Sequence, residues 1–531
     1  DLSPNTHKPH RPLKNALIMR ILILFLLSLM LNSAKPPSPY LQQEAQLVYQ
    51  QLKQAVGDQR SNFPELKILD RQLNAASYRQ TDNSLILEKP VLHLCAKLGD
   101  QRKAALAFLL AHELTHFYQH QDWGKHTCWT QGTSLEAEAD LHGAFLAYLA
   151  GYQVKTVAPQ ILKAIYGHYQ LAEKLAHYPS LAERQKIVGQ ALQKLQVLQS
   201  VHQHAAVLLA LGFHQEAFVM YEYLLKQLKT KELYNNAGVS LLSLAWSGAF
   251  SKTAFRYHYP IELHSELNLN PPTRTTQGLI NTRQLLGMAK RNFEQAKVLA
   301  PNDFSVLLNL ACTFNLLETA DWDTIWNYIS NAEKAVQSPL ELSKLSLIKG
   351  IVYALQDKKA LAIKEFSHAR QNQEHLGISQ LVEQNLKVLN KQPIQEVIHP
   401  FSKSKEQLDG LRLRNFAQLD IDYTLPLLPF AGTKSHLKIK YLPHSTLLII
   451  PAQKQTVVIQ STTSSIPKTQ QGIQVGDHLS KVQTTYANQH MQTLNMDNGY
   501  LLLLPSLRLF FELDNQQRIQ RWGIYLKQVS S

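Results

Sequence analysis

Three textures of apolar and polar residues succeed one another along the chain. From residue 41 to about 192 the apolar positions recur mostly at three- and four-residue intervals, the period of helices buried along one face. One apolar stretch, SLILEKPVLHLCAK (84–97), reads instead as strand-like. From about 200 to 395 long amphipathic helices dominate. After about 430 the period shortens to two: KSHLKIKYL, STLLIIPA, QTVVIQS, YLLLLPS, LRLFFELD and IQRWGIYLK are short β-branched and aromatic runs separated by Pro, Asn, Asp and Gly. GIQVGDHLSKVQTTYA (472–487) adds a turn and helix start, and Asp514-Asn515 sits between two runs as a hairpin turn would. The pattern predicts a mainly α, multidomain protein with a small β-rich domain over 430–531. Residues 396–429, which include HPFSKSKEQLDG, read as the linker before it.

Residues 19–34, MRILILFLLSLMLNSA, place one arginine before an apolar run from Ile21 to Leu31, with Ala34 after it. The run is short for a membrane span, which needs about 20 apolar residues, and has the length of a signal-peptide core. Residues 1–34 are therefore read as leader and signal peptide, with Met19 a candidate true start. The other reading is an uncleaved N-terminal anchor. An exported, periplasmic or otherwise extracytoplasmic protein with at most peripheral membrane association is expected.

The helical middle contains a spaced pattern. Ala217-x3-Tyr221-x2-Leu224 recurs as Ala289-x3-Phe293-x2-Ala296 and as Ala362-x3-Phe366-x2-Ala369, at offsets of 72 and 73 residues. YNNAG (234–238), LLNLA (307–311) and LIKGI (347–351) supply small residues on the companion helices. Small residues let the two helices of a hairpin approach, and the aromatic fills the gap to the next hairpin. The spacing, about two units of 34 plus a few residues, resembles tetratricopeptide repeats. They are degenerate and interrupted by an insertion near 247–275. The region 200–395 is read as a tetratricopeptide-like solenoid offering a groove to peptides or to an envelope protein partner. An ordinary helical bundle is the plainer alternative.

Composition narrows the chemistry. Among 531 residues 45% are hydrophobic and 18% charged, as in a folded globular protein. The net charge of +14 falls to +11 once Lys8, Arg11, Lys14, Arg20 and Asp1 of the leader are set aside. The remaining cations are dispersed, so no nucleic-acid partner is expected. Three cysteines without a CxxC exclude a disulfide scaffold and a cysteine zinc finger. Cys95 and Cys128 flank the next motif and are read either as a bridge or as two thiols; Cys312 is read as core.

That motif is His112-Glu113-Leu114-Thr115-His116, within AFLLAHELTHFYQH (107–120). The Ala- and Leu-rich run from Lys103 to Phe117 lacks Pro and Gly and predicts a helix. Residues four apart share a face, so both imidazoles can address one ion, and Glu113 can reach a water there without being a ligand. A catalytic site needs a third ligand. TSLEAEADLHGAFLAYLAGY (133–152) offers Glu136 and Asp140, four apart on a second predicted helix. Glu136 also fits a capping box with Thr133.

Together these residues resemble the HtpX and CAAX prenyl endopeptidase-type zinc metallopeptidase family, in which HExxH is followed by E-x-E-A-D. Glu136-Ala137-Glu138-Ala139-Asp140 matches each position. The resemblance covers roughly 60–192, and with the repeats it lies nearest to exported members of the β-barrel assembly-enhancing protease type. It implies a zincin-type α+β metallopeptidase domain over 41–195 and one zinc ion per chain. It also implies His112, His116 and Glu136 as zinc ligands, Glu113 as catalytic base, and Asp140 as the partner of a ligand histidine's other ring nitrogen. The family's His-Pro segment and following arginine correspond to His177-Tyr178-Pro179 and Arg184, with Tyr178 inserted. Thr115 stands where members often have Gly, and the gap from His116 to Glu136 is short. His142, His177 and Tyr178 are candidate oxyanion donors or latches, among which the sequence does not choose. The expected activity is hydrolysis of peptide bonds in unfolded or misassembled envelope proteins. The alternative is a non-catalytic or latched scaffold working through the repeat groove.

Overall fold

A computed structural model describes residues 39–123, 133–170, 180–248, 253–263, 282–317, 321–371, 376–392, 407–408, 411–412, 423–426, 436–441, 446–452, 455–462, 468–496 and 499–526. These residues are mainly helical, with fifteen α-helices and a C-terminal antiparallel sheet.

The first unit opens with α1 (Pro39–Val56) and a three-stranded sheet of β1 (Glu65–Leu69), β2 (Ala76–Arg79) and β3 (Ser84–Glu88). The order is β1-β3-β2, with β3 parallel to β1 and antiparallel to β2. Central β3 is buried at all five residues, whereas β2 forms an edge. The strand-like reading of 84–97 therefore holds for only five residues. Lys89–Ala96 is helix α2, because Pro90 supplies a preset φ in the first turn, where its missing N–H costs nothing. Helices α3 (Arg102–Tyr118), α4 (Thr133–Leu149) and α5 (Val157–Tyr169) follow. α3 lies against α1, α4 and β2.

α6 (Leu181–Ala210) begins at a capping box in which Ser180 and Glu183 satisfy each other's main-chain N–H. It runs 30 residues without a break, so the boundary expected between 195 and 200 falls inside one helix. It packs on α4 from Arg184 near its start to His202 toward its end, and also on α7 (His214–Leu225).

Then come α8 (Lys231–Gly248), α9 (Thr282–Leu299), α10 (Phe304–Leu317), α11 (Trp322–Ala335), α12 (Pro339–Leu355), α13 (Lys359–Arg370) and α14 (Leu376–Leu389). Each packs on the next, and α8, α10, α12 and α14 also pack side by side as one layer. Asp321 caps α11, and a Ser338–Glu341 capping box starts α12. The alanines and aromatics of the spaced pattern are all fully buried. Gly238 on α8 meets the Phe293 ring of α9, and Gly350 on α12 meets the Phe366 ring of α13. A Cβ at either glycine would lie 2.6 or 2.5 Å from a ring carbon. The small residue of one helix is thus the seat of the aromatic of the next. Part of the expected insertion, Ala254–Leu263, lies buried against this array, with Arg256 alone exposed.

The first unit and the array are joined directly. Gln59 N donates to Leu299 O (2.8 Å), and Lys231 pairs with Asp303 (2.7 Å) beside Gly57.

After a two-residue ladder of β4 (Gln407–Leu408) and β5 (Leu411–Arg412), eight antiparallel strands form one sheet. They are β6 (Tyr423–Pro426), β7 (His436–Tyr441), β8 (Thr446–Ala452), β9 (Gln455–Thr462), β10 (Gln492–Met496), β11 (Gly499–Leu504), β12 (Leu509–Asp514) and β13 (Ile519–Leu526). Their order is β10-β11-β12-β13-β9-β8-β7-β6. All six apolar runs named from the sequence are strands. The expected linker nevertheless contains β4 to β6, with β6 paired to β7. A short helix α15 (Leu479–Thr485) packs its Val482 into the sheet's own core with Phe511 and Trp522. Tyr525 meets Phe213 edge-on at 6.3 Å and seats the sheet on the array.

If the glycine seats set the hairpin spacing, Gly350→Ala is expected to destabilise by about 1–3 kcal/mol through overpacking, and Phe366→Ala by about 3–5 kcal/mol through a cavity. Urea unfolding of the double variant should show a cost well below the sum of the two, because the added methyl enters the space the ring vacates.

Candidate metal centre

The HExxH helix forms as the sequence predicts, and α3 carries His112 and His116 one turn apart on one face. The second helix comes close because of a residue the motif does not include. On α4, Glu136, Asp140 and Gly143 stand at i, i+4 and i+7 and so share the stripe facing α3. A Cβ on Gly143 would lie 2.7 Å from His112 N. Only glycine lets the two backbones meet there, and that approach delivers both carboxylates to the histidines.

His112 Nε2 and His116 Nε2 lie 3.2 Å apart. Glu136 closes the triangle, with Oε2 3.3 Å from His112 Nε2 and Oε1 3.4 Å from His116 Nε2. His112 is buried and the other two are half-buried. Among the described residues this is a group that could hold a metal ion.

Each imidazole is anchored through its other nitrogen. His112 Nδ1 lies 3.0 Å from Asp140 Oδ1. His116 Nδ1 donates to Gln119 Oε1 at 2.8 Å, and Gln119 Nε2 donates to Leu135 O of α4 at 3.2 Å. The Gln119 bond fixes the His116 tautomer and presents its Nε2 lone pair inward, while the Asp140 carboxylate beside His112 Nδ1 favours the proton on that nitrogen. Asp140 is also paired through both oxygens with Arg184 of α6, with Nη2 2.7 Å from Oδ1. The same guanidinium lies 3.3 Å from Glu136 Oε2. With neutral imidazoles, Glu136, Asp140 and Arg184 sum to −1, a field suited to a cation. Its strength is visible at His112. Burial disfavours the imidazolium, yet Asp140 and Glu136 outweigh burial and raise the pKa to about 10. Burial would push Glu136 up, but His112 and His116 hold it well below the usual carboxylate range.

Glu113 stands outside the triangle. β2 is an edge strand, so its outward N–H groups lack ladder partners, and that of Tyr78 donates to Glu113 Oε2 (2.8 Å). The Thr115 hydroxyl donates to Ala111 O one turn back.

The structure thus gathers His112, His116, Glu136 and Asp140 at one place, with Glu113 next to His112 on α3 and bonded to Tyr78 N. It does not bring His142 there. Two residues beyond Asp140 on a helix is the opposite face, and His142 is buried near Gln227 and Lys194. Its candidacy as an oxyanion donor is withdrawn on that ground. His177, Tyr178 and Cys128 lie outside the described residues. Cys95 and Cys312 are buried, and burial pushes both thiols up. Gln119, Gly143 and the role of Arg184 were missed by the sequence reading, although Gln119 lies three residues past His116 and Gly143 three past Asp140.

Gly143→Val is expected to separate α3 from α4 and weaken metal binding at least tenfold, read by competition against a chromogenic chelator. A pH dependence follows from burial. Burial lowers His142 to about 4, with Gln227 partly opposing, and lowers His204 on α6 to about 4. Both bind fewer protons folded than unfolded, where about 6.5 is ordinary. Their stabilising contribution is therefore full above pH 6.5 and is lost as pH falls toward 4. His142→Gln should reduce the loss of unfolding free energy between pH 7 and 4.5 by about 2 kcal/mol. Urea titrations at the two pH values measure it.

Comparison with known proteins adds no assignment to this geometry: no family model matches the chain, and no curated protein sequence matches it significantly.

Proposed function

We propose that the chain is an exported, zinc-dependent metalloendopeptidase that hydrolyses peptide bonds of unfolded or misassembled envelope proteins. The ligand triangle carries the reading. Two zinc bonds of about 2.0–2.1 Å at the tetrahedral angle separate their donor atoms by about 3.3 Å. His112 Nε2 and His116 Nε2 stand 3.2 Å apart, and Glu136 places Oε2 3.3 Å from the first and Oε1 3.4 Å from the second, so the three side chains can address one ion. Three protein donors leave a fourth vertex open, the arrangement of catalytic rather than structural zinc.

Bound zinc would supply Lewis acidity, bringing the pKa of a water toward neutrality and polarising a peptide carbonyl. The chain's own part is proton handling and positioning. Glu113, oriented at Oε2 by the Tyr78 N–H, has Oε1 to take the water's proton and return it to the leaving amine. Asp140 and Gln119 keep the imidazoles in register, and Arg184 compensates the buried Asp140 charge. The intact Glu113 beside a complete triangle favours turnover over a scaffold that keeps the metal group only for docking. Export rests on residues 19–34, which lie outside the described residues; no described helix is long and apolar enough to cross a membrane.

Residues 35–531 and the Glu113→Gln variant, purified in parallel, test the proposal by zinc content and casein cleavage. One zinc per chain in both is expected, with cleavage at least about 100-fold slower in the variant. Equal cleavage would remove Glu113 from the mechanism, and zinc without cleavage in either would favour the scaffold. Glu136→Ala is expected to lose zinc; full occupancy there would require another third ligand.

A further inference from the structure

The segment Ala254–Leu263 has an unusual relation to the helices around it. From His258 to Leu263 it has no helix or strand of its own, yet every one of those residues is buried. A buried irregular chain must have its main-chain polar groups satisfied from elsewhere. Ile261 N bonds within the segment to Tyr259 O, whereas the groups of His258 and Glu262 are met by side chains reaching from the layer of α8, α10, α12 and α14. Asn385 of α14 grips one residue at both ends: its Oδ1 accepts from His258 N (2.7 Å) and its Nδ2 donates to His258 O (2.9 Å). Asn309 of α10 does the same at Glu262, accepting from N (2.8 Å) and donating to O (2.7 Å). Asn235 of α8 also donates to Glu262 O (2.9 Å), and Asn309 Nδ2 ties the two amides together at Asn235 Oδ1 (2.9 Å). Lys344 of α12 pairs with the Glu262 carboxylate. Trp246 Nε1 of α8 donates to Phe255 O (3.1 Å).

Each of the four helices thus supplies a clamp, and all three asparagines are fully buried. Amides that hold the N–H and C=O of a single residue read main chain, not sequence. The one side chain read by charge is Glu262, through Lys344. Main-chain bonds for affinity, with a few side-chain pockets for selectivity, are the pattern by which proteins bind open-chain peptides.

We propose that this layer is a peptide-binding site whose resting occupant is the chain's own Ala254–Leu263, and that it accepts in trans an open-chain peptide with an acidic residue opposite Lys344. The cis segment competes at the high effective concentration of a tethered ligand. Access for a second peptide therefore depends on release of the segment. The inference is independent of the metal centre.

The test uses the full chain and a fluorescently labelled, end-blocked peptide of residues 253–263. Weak binding to wild type is expected. Glu262→Lys, which sets two ammonium groups against each other, should free the site and tighten peptide binding at least tenfold. Adding Lys344→Glu, which restores an opposite-charge pair within the chain, should return peptide binding to the weak wild-type level. A folded Glu262→Lys chain that binds no peptide overturns the proposal. Hydrogen exchange on wild type decides the matter if that variant does not fold. The amides of His258 and Glu262 should exchange at least tenfold faster than those of α10 and α12, through local release. Exchange in step with those helices would make the segment ordinary core and overturn the proposal.

Discussion

Asp140 is fully buried and ionic, and much of the molecule is arranged around that fact. A lone carboxylate in such a place would cost several kcal/mol in lost hydration. Its neighbours remove the difficulty by converging on it: a guanidinium from α6 and an imidazole from α3. One charge thereby fixes the mutual placement of three helices. The convergence also sets His112 Nε2 toward His116 and Glu136, so the electrostatic need of a core residue and the geometry of the metal group have one solution.

How much of this the sequence discloses depends on whether the signal is local. The histidine pair and the two carboxylates of α4 are legible because four-residue spacing on a helix is a geometric statement by itself. His142 was legible too: two residues past Asp140 is about 200° around the helix, away from α3. Arg184 could be seen in the sequence but not understood there, since its pairing with Asp140 depends on α5 and on how the chain returns. Gln119 reads as any polar residue near a helix end until Leu135 O is seen opposite it. Gly143 was hidden by the habit of treating a glycine in a helical pattern as a weakness, when here it marks the closest backbone approach.

The same division runs through the array. Alanine and aromatic positions are periodic, and the pattern foretold both their burial and the glycine seats that face Phe293 and Phe366. The asparagines left no such trace. Asn235, Asn309 and Asn385 look like solvated polar residues on amphipathic helices, because nothing local tells an amide that faces water from one that faces a returning stretch of main chain. The insertion near 247–275 was read as an interruption; its described part instead completes the layer it interrupts.

The continuity of α6 bears on how separable these parts are. Thirty residues of unbroken helix span about 45 Å. Arg184 sits in its first turn, and Val201, Ala205 and Leu208 lie buried near the other end. No flexible joint therefore divides the unit that carries His112, His116 and Glu136 from the array at that point. A cut at residue 195 would leave half a helix on each side, each with an apolar stripe bared to water. The two regions share one continuous helix and are not modules strung on a tether. A recombination event that exchanged one would have to bring a helix whose two ends already suited different neighbours.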